Sequence, residues 1–289
     1  MFVKIMPMPQ SLTICVCGAG TMGSGIAQVA AQNGFKTIQF DVNADMLAVS
    51  KKNIAANLEK LVQKGKMTPE QAANTTSNLS FTSNLGDCIA DVVIEAIVEK
   101  LEIKTTLFQQ LAALNNPTTI LATNTSSIAV SSIAATIPNP SRVAGMHFFN
   151  PAPLMQLVEV IRAEQSSDET VAMLVKLAKD FKKVSVVCKD APGFIVNRVA
   201  RHYYLEALKL VDEGKATVET VDALMENAGF KMGPFRLMDL IGMDINYSVS
   251  NIVWEALGKP VRLTPSPLQK HKVDVGELGK KTGKGFYEY

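Results

Sequence analysis

A histidine and a glutamate twelve residues apart are the strongest candidates for chemistry in this sequence. His147 ends an apolar run that predicts a strand, and Glu159 interrupts the next apolar run. A carboxylate in a buried strand is costly unless a partner compensates its charge, and imidazole titrates near neutral pH. Neighbouring strands can bring the two together, so we predict a catalytic His147–Glu159 dyad. The alternative is a half-buried structural histidine.

A glycine-rich loop is the second candidate. It follows a predicted strand, opens a predicted helix and matches the G-x-G-x-x-G pattern of dinucleotide-binding proteins. The first glycine permits a tight turn, the second lets the backbone approach a pyrophosphate, and the third lets the helix pack on the strand. The loop consists of Gly18, Ala19, Gly20, Thr21, Met22 and Gly23.

An acidic residue, Asp41, stands 18 residues after Gly23, at the end of the second predicted strand. Its carboxylate is suited to accept hydrogen bonds from ribose hydroxyls, and it repels a ribose 2′-phosphate. No Lys or Arg follows Asp41 before Lys51. We therefore predict a site that takes NAD in preference to NADP; the alternative is a purely structural glycine turn.

Strand and helix signals alternate through the first two-thirds of the chain. This alternation predicts an α/β fold with a Rossmann-type, doubly wound, mostly parallel sheet covered by helices on both faces. Ser166 and Glu169 have the spacing of a capping box. The predicted strands cover residues 12–17, 36–40, 91–97, 118–123, 142–147, 156–161 and 184–188, and helices lie between most of them.

The pattern changes at residues 189–193, where the sequence reads KDAPG. Beyond this point strand signals fade and helical segments follow at 194–211, 218–227, 235–241 and 246–257. We predict an NAD-binding domain over residues 1–189 and a smaller, all-helical domain over residues 190–289.

The composition excludes several classes of protein. With 289 residues, 47% hydrophobic and 19% charged, the chain can bury a sizeable core. A net charge of +2 provides no field for nucleic acid. Three histidines and four scattered cysteines suggest no metal site, and no apolar run reaches the roughly 18 residues of a membrane span. Because residues 1–11 do not resemble a secretory signal, we expect a cytoplasmic protein.

Several sequence segments resemble the 3-hydroxyacyl-CoA dehydrogenase family, in particular its short bacterial 3-hydroxybutyryl-CoA dehydrogenases. The resemblance covers nearly the whole chain. The segments are GAGTMGSGIA from Gly18, VVIEAIVE ending at Glu99, ATNTSS from Ala122, GMHFFNPAP from Gly145, LVEVI from Leu157, DAPGFIVNR from Asp190, MGPF from Met232 and the C-terminal GKKTGKGFYEY.

The resemblance implies reversible oxidation of an (S)-3-hydroxyacyl-CoA, with 3-hydroxybutyryl-CoA as the expected substrate, in fatty-acid or butanoate metabolism. His147 would be the general base and Glu159 would orient it. Ser126 and Asn197 would bind the substrate, in a site that closes between the two domains. The nicotinamide half of NAD would contact Ala96, Glu99, Lys104, Asn124 and Asn150.

The resemblance also implies a site for coenzyme A and a homodimer that forms through the helical domain. Lys64 corresponds to a contact with coenzyme A, and Asn57 stands where the animal enzymes have a serine contact. Five lysines and Glu59 between residues 51 and 66 give a local charge of +4. Such a run is usually a solvated helix face, but it could also bind an anionic tail.

Two other functions are compatible with these residues. One is a sugar-acid 3-dehydrogenase of the lens-crystallin type, which shares the dyad. The other is a non-catalytic NAD-binding protein. The complete set Ser126, His147, Glu159 and Asn197 argues against the second, since a buried acid without a function would only cost stability.

Overall fold

The computed structural model describes residues 12–289, and the chain divides into two compact units, Met1–Asp190 and Ala191–Tyr289. Residues 1–11, on which the expectation about a secretory signal rests, lie outside the described residues.

The first unit is built on one eight-stranded sheet. Its strands are β1 (Thr13–Cys17), β2 (Lys36–Phe40), β3 (Leu79–Thr82), β4 (Val92–Glu95), β5 (Ile120–Thr123), β6 (Val143–Phe148), β7 (Leu157–Arg162) and β8 (Val184–Lys189). They lie in the order β3-β2-β1-β4-β5-β6-β7-β8. All neighbouring pairs are parallel except β6 and β7. The predicted mostly parallel, doubly wound sheet is confirmed.

The antiparallel pair has a simple cause in the chain. Only residues 149–156 connect β6 to β7, and a parallel pair needs a crossover of about a dozen residues or more. The short connection therefore reverses the direction of the chain.

α-Helices connect the other consecutive strands, except β3 and β4, and cover the sheet. They are α1 (Thr21–Gln32), α2 (Ala44–Gln63), α3 (Pro69–Ser77), α4 (Leu101–Leu114), α5 (Val130–Ala134) and α6 (Asp168–Asp180). Apolar side chains of α1 and α6 pack in one core with those of the central strands; Ile26 and Leu174 are fully buried there. Because β1 and β4 lie inside the sheet, their side chains are buried on both faces.

Two elements of this unit and one cap differ from the sequence predictions. Strand β3 and helix α5 were not predicted, because both are short and β3 is a partly exposed edge strand. The capping box at Ser166 was wrong: the side chain of Ser167 caps α6 by accepting the Thr170 N–H. Ser166 Oγ instead donates to the carbonyl of Val143.

The second unit is helical, as predicted. It contains α7 (Val196–Asp212), α8 (Val218–Asn227), α9 (Pro234–Ile241), α10 (Met243–Ala256) and α11 (Pro267–Asp274). Leu208, Phe235 and Met238 are fully buried in its core. Two buried aspartates bind backbone N–H groups of other segments. Asp222 accepts the Phe235 N–H at the start of α9. Asp239 accepts N–H groups of the C-terminal segment.

Candidate active site

The glycine loop connects β1 to α1, and two of its glycines are required by close packing. Gly18 has a φ of 115°, and a Cβ there would lie 2.4 Å from the carbonyl oxygen of Ala96. A Cβ on Gly23 would lie 2.0 Å from the carbonyl oxygen of Gly18. A Cβ on Gly20 would have no atom of a described residue within 4 Å. Packing therefore does not require Gly20, and its open side can admit a ligand.

The N terminus of α1 is suited to bind an anion. Gly20 is its N-cap residue and supplies no side-chain hydrogen bond, and the first turn contains no acidic residue. The first N–H groups of a helix have no partners within the helix and carry the positive end of its dipole. This loop can thus bind a diphosphate.

Asp41 follows β2 beside this loop. Its Oδ2 accepts the Ala19 N–H at 2.7 Å and its Oδ1 accepts the Asn43 N–H at 2.9 Å. Each carboxylate oxygen can accept a second hydrogen bond, so the group can hold the loop and still bind a hydroxyl. Asp41 lines a cavity of about 1060 Å³ together with Gly18, Gly20 and Ala96.

Helix α4 supplies a wall of this cavity that the sequence analysis did not identify. Ile103, Thr106 and Gln110 line it from one side of the helix. The sequence does not show which part of the helix covers the sheet and which extends past the strand ends.

His147 and Glu159 form the predicted contact across β6 and β7. They occupy paired positions, and His147 Nδ1 lies 2.8 Å from Glu159 Oε2. Both are buried, with exposed fractions of 5% and 1%. The ring of Phe149 lies beside the imidazole, with the centroids 4.6 Å apart. An ionised carboxylate can only accept hydrogen bonds. The His147 Nδ1–H group is therefore the donor of this hydrogen bond, and Glu159 is the acceptor.

A buried lysine between two carboxylates lies at the ends of β4 and β5. Lys104 Nζ is 2.6 Å from Glu95 Oε1 and 3.1 Å from Glu99 Oε2, and its side chain is 1% exposed. Glu95 also accepts the Thr123 hydroxyl at 2.7 Å. Glu95 was not predicted as a site residue. It interrupts an apolar run as Glu159 does, and the same argument would have found it.

Glu99 holds the loop that contains Ser126. Its Oε1 accepts the N–H groups of Ser126 and Ser127 at 3.0 and 3.2 Å and the Thr125 hydroxyl at 2.5 Å. Burial opposes ionisation of Glu99, but Lys104 and these donors outweigh it and hold its pKa below the usual value. The Ser126 hydroxyl itself forms no hydrogen bond with a described residue.

The other predicted cofactor and substrate contacts of the first unit lie at the ends of β5 and β6 and on α2. Asn124 follows β5, and its Oδ1 accepts the Phe148 N–H at 2.8 Å, which ties the end of β5 to β6. Asn150 is exposed after β6. Asn57 and Lys64 are exposed on α2 and at its C-cap, and the Asn57 amide donates to Gln28 at 3.4 Å.

Asn197 lies in the second unit, as the second residue of α7, and is partly buried. Its carbonyl oxygen accepts a hydrogen bond from Arg201 Nε at 3.1 Å.

Within residues 12–289, no cluster of three or more His, Cys, Asp or Glu side chains has the arrangement of a metal site. In the same part of the chain, no helix combines the length and apolarity that a bilayer crossing requires.

Comparison with known proteins gives a consistent result. Residues 13–191 match the family described as "3-hydroxyacyl-CoA dehydrogenase, NAD binding domain", and residues 193–289 match "3-hydroxyacyl-CoA dehydrogenase, C-terminal domain".

Individual relatives match over nearly the whole chain. The 3-hydroxyadipyl-CoA dehydrogenase of Escherichia coli is 46% identical over 96% of this chain, which spans only 59% of that relative. A probable 3-hydroxybutyryl-CoA dehydrogenase of Deinococcus radiodurans is 43% identical over 95% of this chain and 99% of its own. The crystal structure of (S)-3-hydroxybutyryl-CoA dehydrogenase from Ralstonia eutropha superposes with a TM-score of 0.92 at 35% identity, covering 96% and 99% of the two chains.

Proposed function

The chain belongs to the 3-hydroxyacyl-CoA dehydrogenase family, and from this premise we propose that it oxidises (S)-3-hydroxyacyl-CoA reversibly to 3-oxoacyl-CoA with NAD. The observation that carries the proposal is the buried contact of 2.8 Å between His147 and Glu159, in a unit that also contains the glycine loop. Within this class of substrates, we propose that the protein acts on 3-hydroxybutyryl-CoA. The relatives named for it support this choice.

NAD, when bound, accepts the hydride in oxidation and supplies it in reduction. The open side of Gly20 and the uncapped start of α1 fit its diphosphate, and the Asp41 carboxylate fits a ribose diol. The Asp41 carboxylate would repel a 2′-phosphate, and the residues that follow it, Val42 and Asn43, provide no cation to bind one. We therefore propose NAD rather than NADP.

The residues after β4, β5 and β6 would hold the nicotinamide half. Ala96, Glu99, Asn124 and Asn150 are the proposed contacts. Lys104 would act through Glu99, since its ammonium group is buried between two carboxylates.

His147 would take the proton of the C3 hydroxyl at Nε2, because its Nδ1 is hydrogen-bonded to Glu159. Glu159 would stabilise the resulting imidazolium and keep the ring in position. In reduction the imidazolium returns the proton. Ser126 would hydrogen-bond the reacting oxygen, and Asn197 would contact the substrate from the second unit.

Several further assignments belong to the same proposal. The exposed Lys64 and Asn57 would bind coenzyme A, the lysine attracting a phosphate. The protein would act in the cytoplasm, in fatty-acid or butanoate metabolism, as a homodimer that forms through the second unit. Light scattering measures the assembly directly.

The test is NADH consumption with acetoacetyl-CoA, and a 3-dehydro sugar acid serves as the comparison. We expect rapid oxidation of NADH with the thioester and little with the sugar acid. The reverse preference would support a sugar-acid dehydrogenase. No turnover by folded protein that binds NADH would support a non-catalytic role.

A further inference from the structure

The second unit buries an arginine that has no carboxylate partner among the residues that the structure describes. Arg201 on α7 is 3% exposed. Its Nη1 donates to the carbonyl of Asn246 and to Ser250 Oγ, both at 2.9 Å, and its Nε donates to the carbonyl of Asn197. These acceptors are neutral, and Arg201 forms no ion pair with a described residue. Buried charges are normally paired because an unpaired one is costly.

Two helix starts add to the positive potential at this point. The guanidinium reaches back to Asn197, the second residue of α7, and across to Asn246, the fourth residue of α10. The start of a helix carries a partial positive charge. Burial lowers the pKa of Arg201 to about 10, so the group stays charged at neutral pH. The ring of Tyr204, 4.9 Å from Arg201 Cζ, compensates part of this charge.

The same cluster has more hydrogen-bond donors than acceptors. Asn246 Oδ1 accepts from Gln269 at 2.7 Å and from Arg201 at 3.4 Å, while the buried Asn246 Nδ2 has no partner within residues 12–289. Exchanging the amide oxygen and nitrogen would place a donor against both of these donors, so the orientation is determined.

One edge of the guanidinium is also available. Arg201 Nη2 donates no hydrogen bond to a described residue, and it is not one of the fully buried atoms without a partner, so it keeps some access to solvent. Among the described residues, the cluster thus combines an unpaired positive charge with an unused donor at its accessible edge, Arg201 Nη2. A carboxylate at this edge would compensate the charge.

We propose that Arg201 binds a carboxylate, and that this carboxylate is the far end of a dicarboxylic 3-hydroxyacyl-CoA, which the protein would take in addition to 3-hydroxybutyryl-CoA. The inference rests on the proposed function, in which Asn197 contacts the substrate. Arg201 lies one helical turn after Asn197 and hydrogen-bonds its carbonyl. A substrate held at Asn197 would reach the guanidinium with the end of its acyl chain.

Calorimetry with non-reacting thioesters tests the site separately from turnover. Hexanedioyl-CoA and hexanoyl-CoA have six-carbon chains and differ in a terminal carboxylate or methyl group. With the NAD-bound protein, we expect the dicarboxylic thioester to bind about 10- to 100-fold more tightly, as for a charge-assisted hydrogen-bonded pair. Turnover of 3-oxohexanedioyl-CoA and 3-oxohexanoyl-CoA should show the same preference in kcat/KM.

Three variants connect this preference to the cluster. Arg201→Met removes the cation, and Asn246→Asp supplies an internal carboxylate while keeping the arginine; both should bring the affinity ratio close to one. Because the readout is a ratio, a general loss of affinity cancels. Lys209→Met removes an exposed charge from the same helix and should leave the ratio unchanged.

The outcomes distinguish the two proposals. A wild-type ratio near one, or a preference that persists in both cluster variants, overturns the carboxylate site. Turnover without a preference overturns the site alone, whereas a binding preference without turnover supports the site and contradicts the proposed reaction. Loss of the dimer in Arg201→Met with an unchanged ratio would assign the cluster to a partner copy and overturn the proposal.

Discussion

His147 and Glu159 lie at directly paired positions of β6 and β7, with Nδ1 and Oε2 2.8 Å apart. The pairing arises from the antiparallel turn of the chain through residues 149–156, so it depends on the register of two buried strands rather than on a mobile loop. Both residues lie within strands whose pairing fixes their relative position. The orientation of the imidazole is therefore built into the sheet.

Removal of the imidazole should abolish most of the activity. We expect His147→Gln to lower kcat by about 10² or more, because no other group would take the hydroxyl proton, and to leave NADH binding almost intact. Stopped-flow turnover and fluorescence titration of NADH measure the two effects. His271→Gln, at an exposed position of α11, is the control. Turnover at the wild-type rate in His147→Gln would remove His147 from the mechanism.

Neutralising the carboxylate should impair the same step less severely. Glu159→Gln keeps a hydrogen-bond acceptor but loses the charge that stabilises imidazolium, so we expect kcat to fall by about 10-fold or more. Glu164→Gln changes an exposed glutamate just after β7 and should have no such effect. Normal rates in Glu159→Gln across the whole pH range would contradict the dyad.

The sequence predicted the dyad because its signals are local. A charged residue inside an apolar run and a histidine at a strand end can be recognised without knowledge of the fold. The register that pairs them was not visible; it follows from the short connection between β6 and β7. The edge strand β3 was missed for the opposite reason, since its pattern is weak and its pairing with β2 is a tertiary property.

Glu95 and Lys104 show where local patterns are insufficient. Lys104 was predicted only as a cofactor contact, from the resemblance to the dehydrogenase family. Only the crossing of α4 over the strand ends places its ammonium group between Glu95 and Glu99. The sequence alone therefore does not show that Glu95 and Lys104 form an ion pair.

Asp41 should determine the choice of cofactor. We expect Asp41→Ala to weaken NAD binding far more than NADP binding, because the lost carboxylate would bind ribose hydroxyls in NAD and repel the phosphate in NADP. The ratio of kcat/KM for the two cofactors measures this. The Ala19 and Asn43 N–H groups also lose an acceptor, but that loss affects both cofactors. Asp45→Ala, at an exposed position of α2, should leave the ratio unchanged, whereas an unchanged ratio in Asp41→Ala would exclude the ribose role.

The buried lysine should be important for stability. Lys104→Met leaves Glu95 fully buried without its cation, and we expect the free energy of unfolding to fall by about 3–5 kcal/mol. Adding Glu95→Gln to this variant should recover a large part of the loss, because it removes the uncompensated charge. Urea unfolding followed by circular dichroism gives the values. Lys270→Met, which breaks an exposed pair with Asp274, should change stability little. A comparable loss in both lysine variants would contradict this account.

Glu99 should make the stability of the Ser126 loop depend on pH. Its folded pKa lies below its ordinary value of 4.5 because Lys104, Thr125 and the Ser126 N–H together outweigh the effect of burial. A carboxyl group with a lowered folded pKa stabilises the protein fully above the unfolded pKa and loses that contribution as the pH falls through the folded value. The stability advantage of the wild type over Glu99→Gln should therefore be constant at neutral pH and shrink below pH 4.5. Urea unfolding of both proteins from pH 7 to pH 3 measures this difference, and Glu70→Gln, an exposed change on α3, is the control. An advantage that grew on acidification would mean that Glu99 is bound in its protonated form.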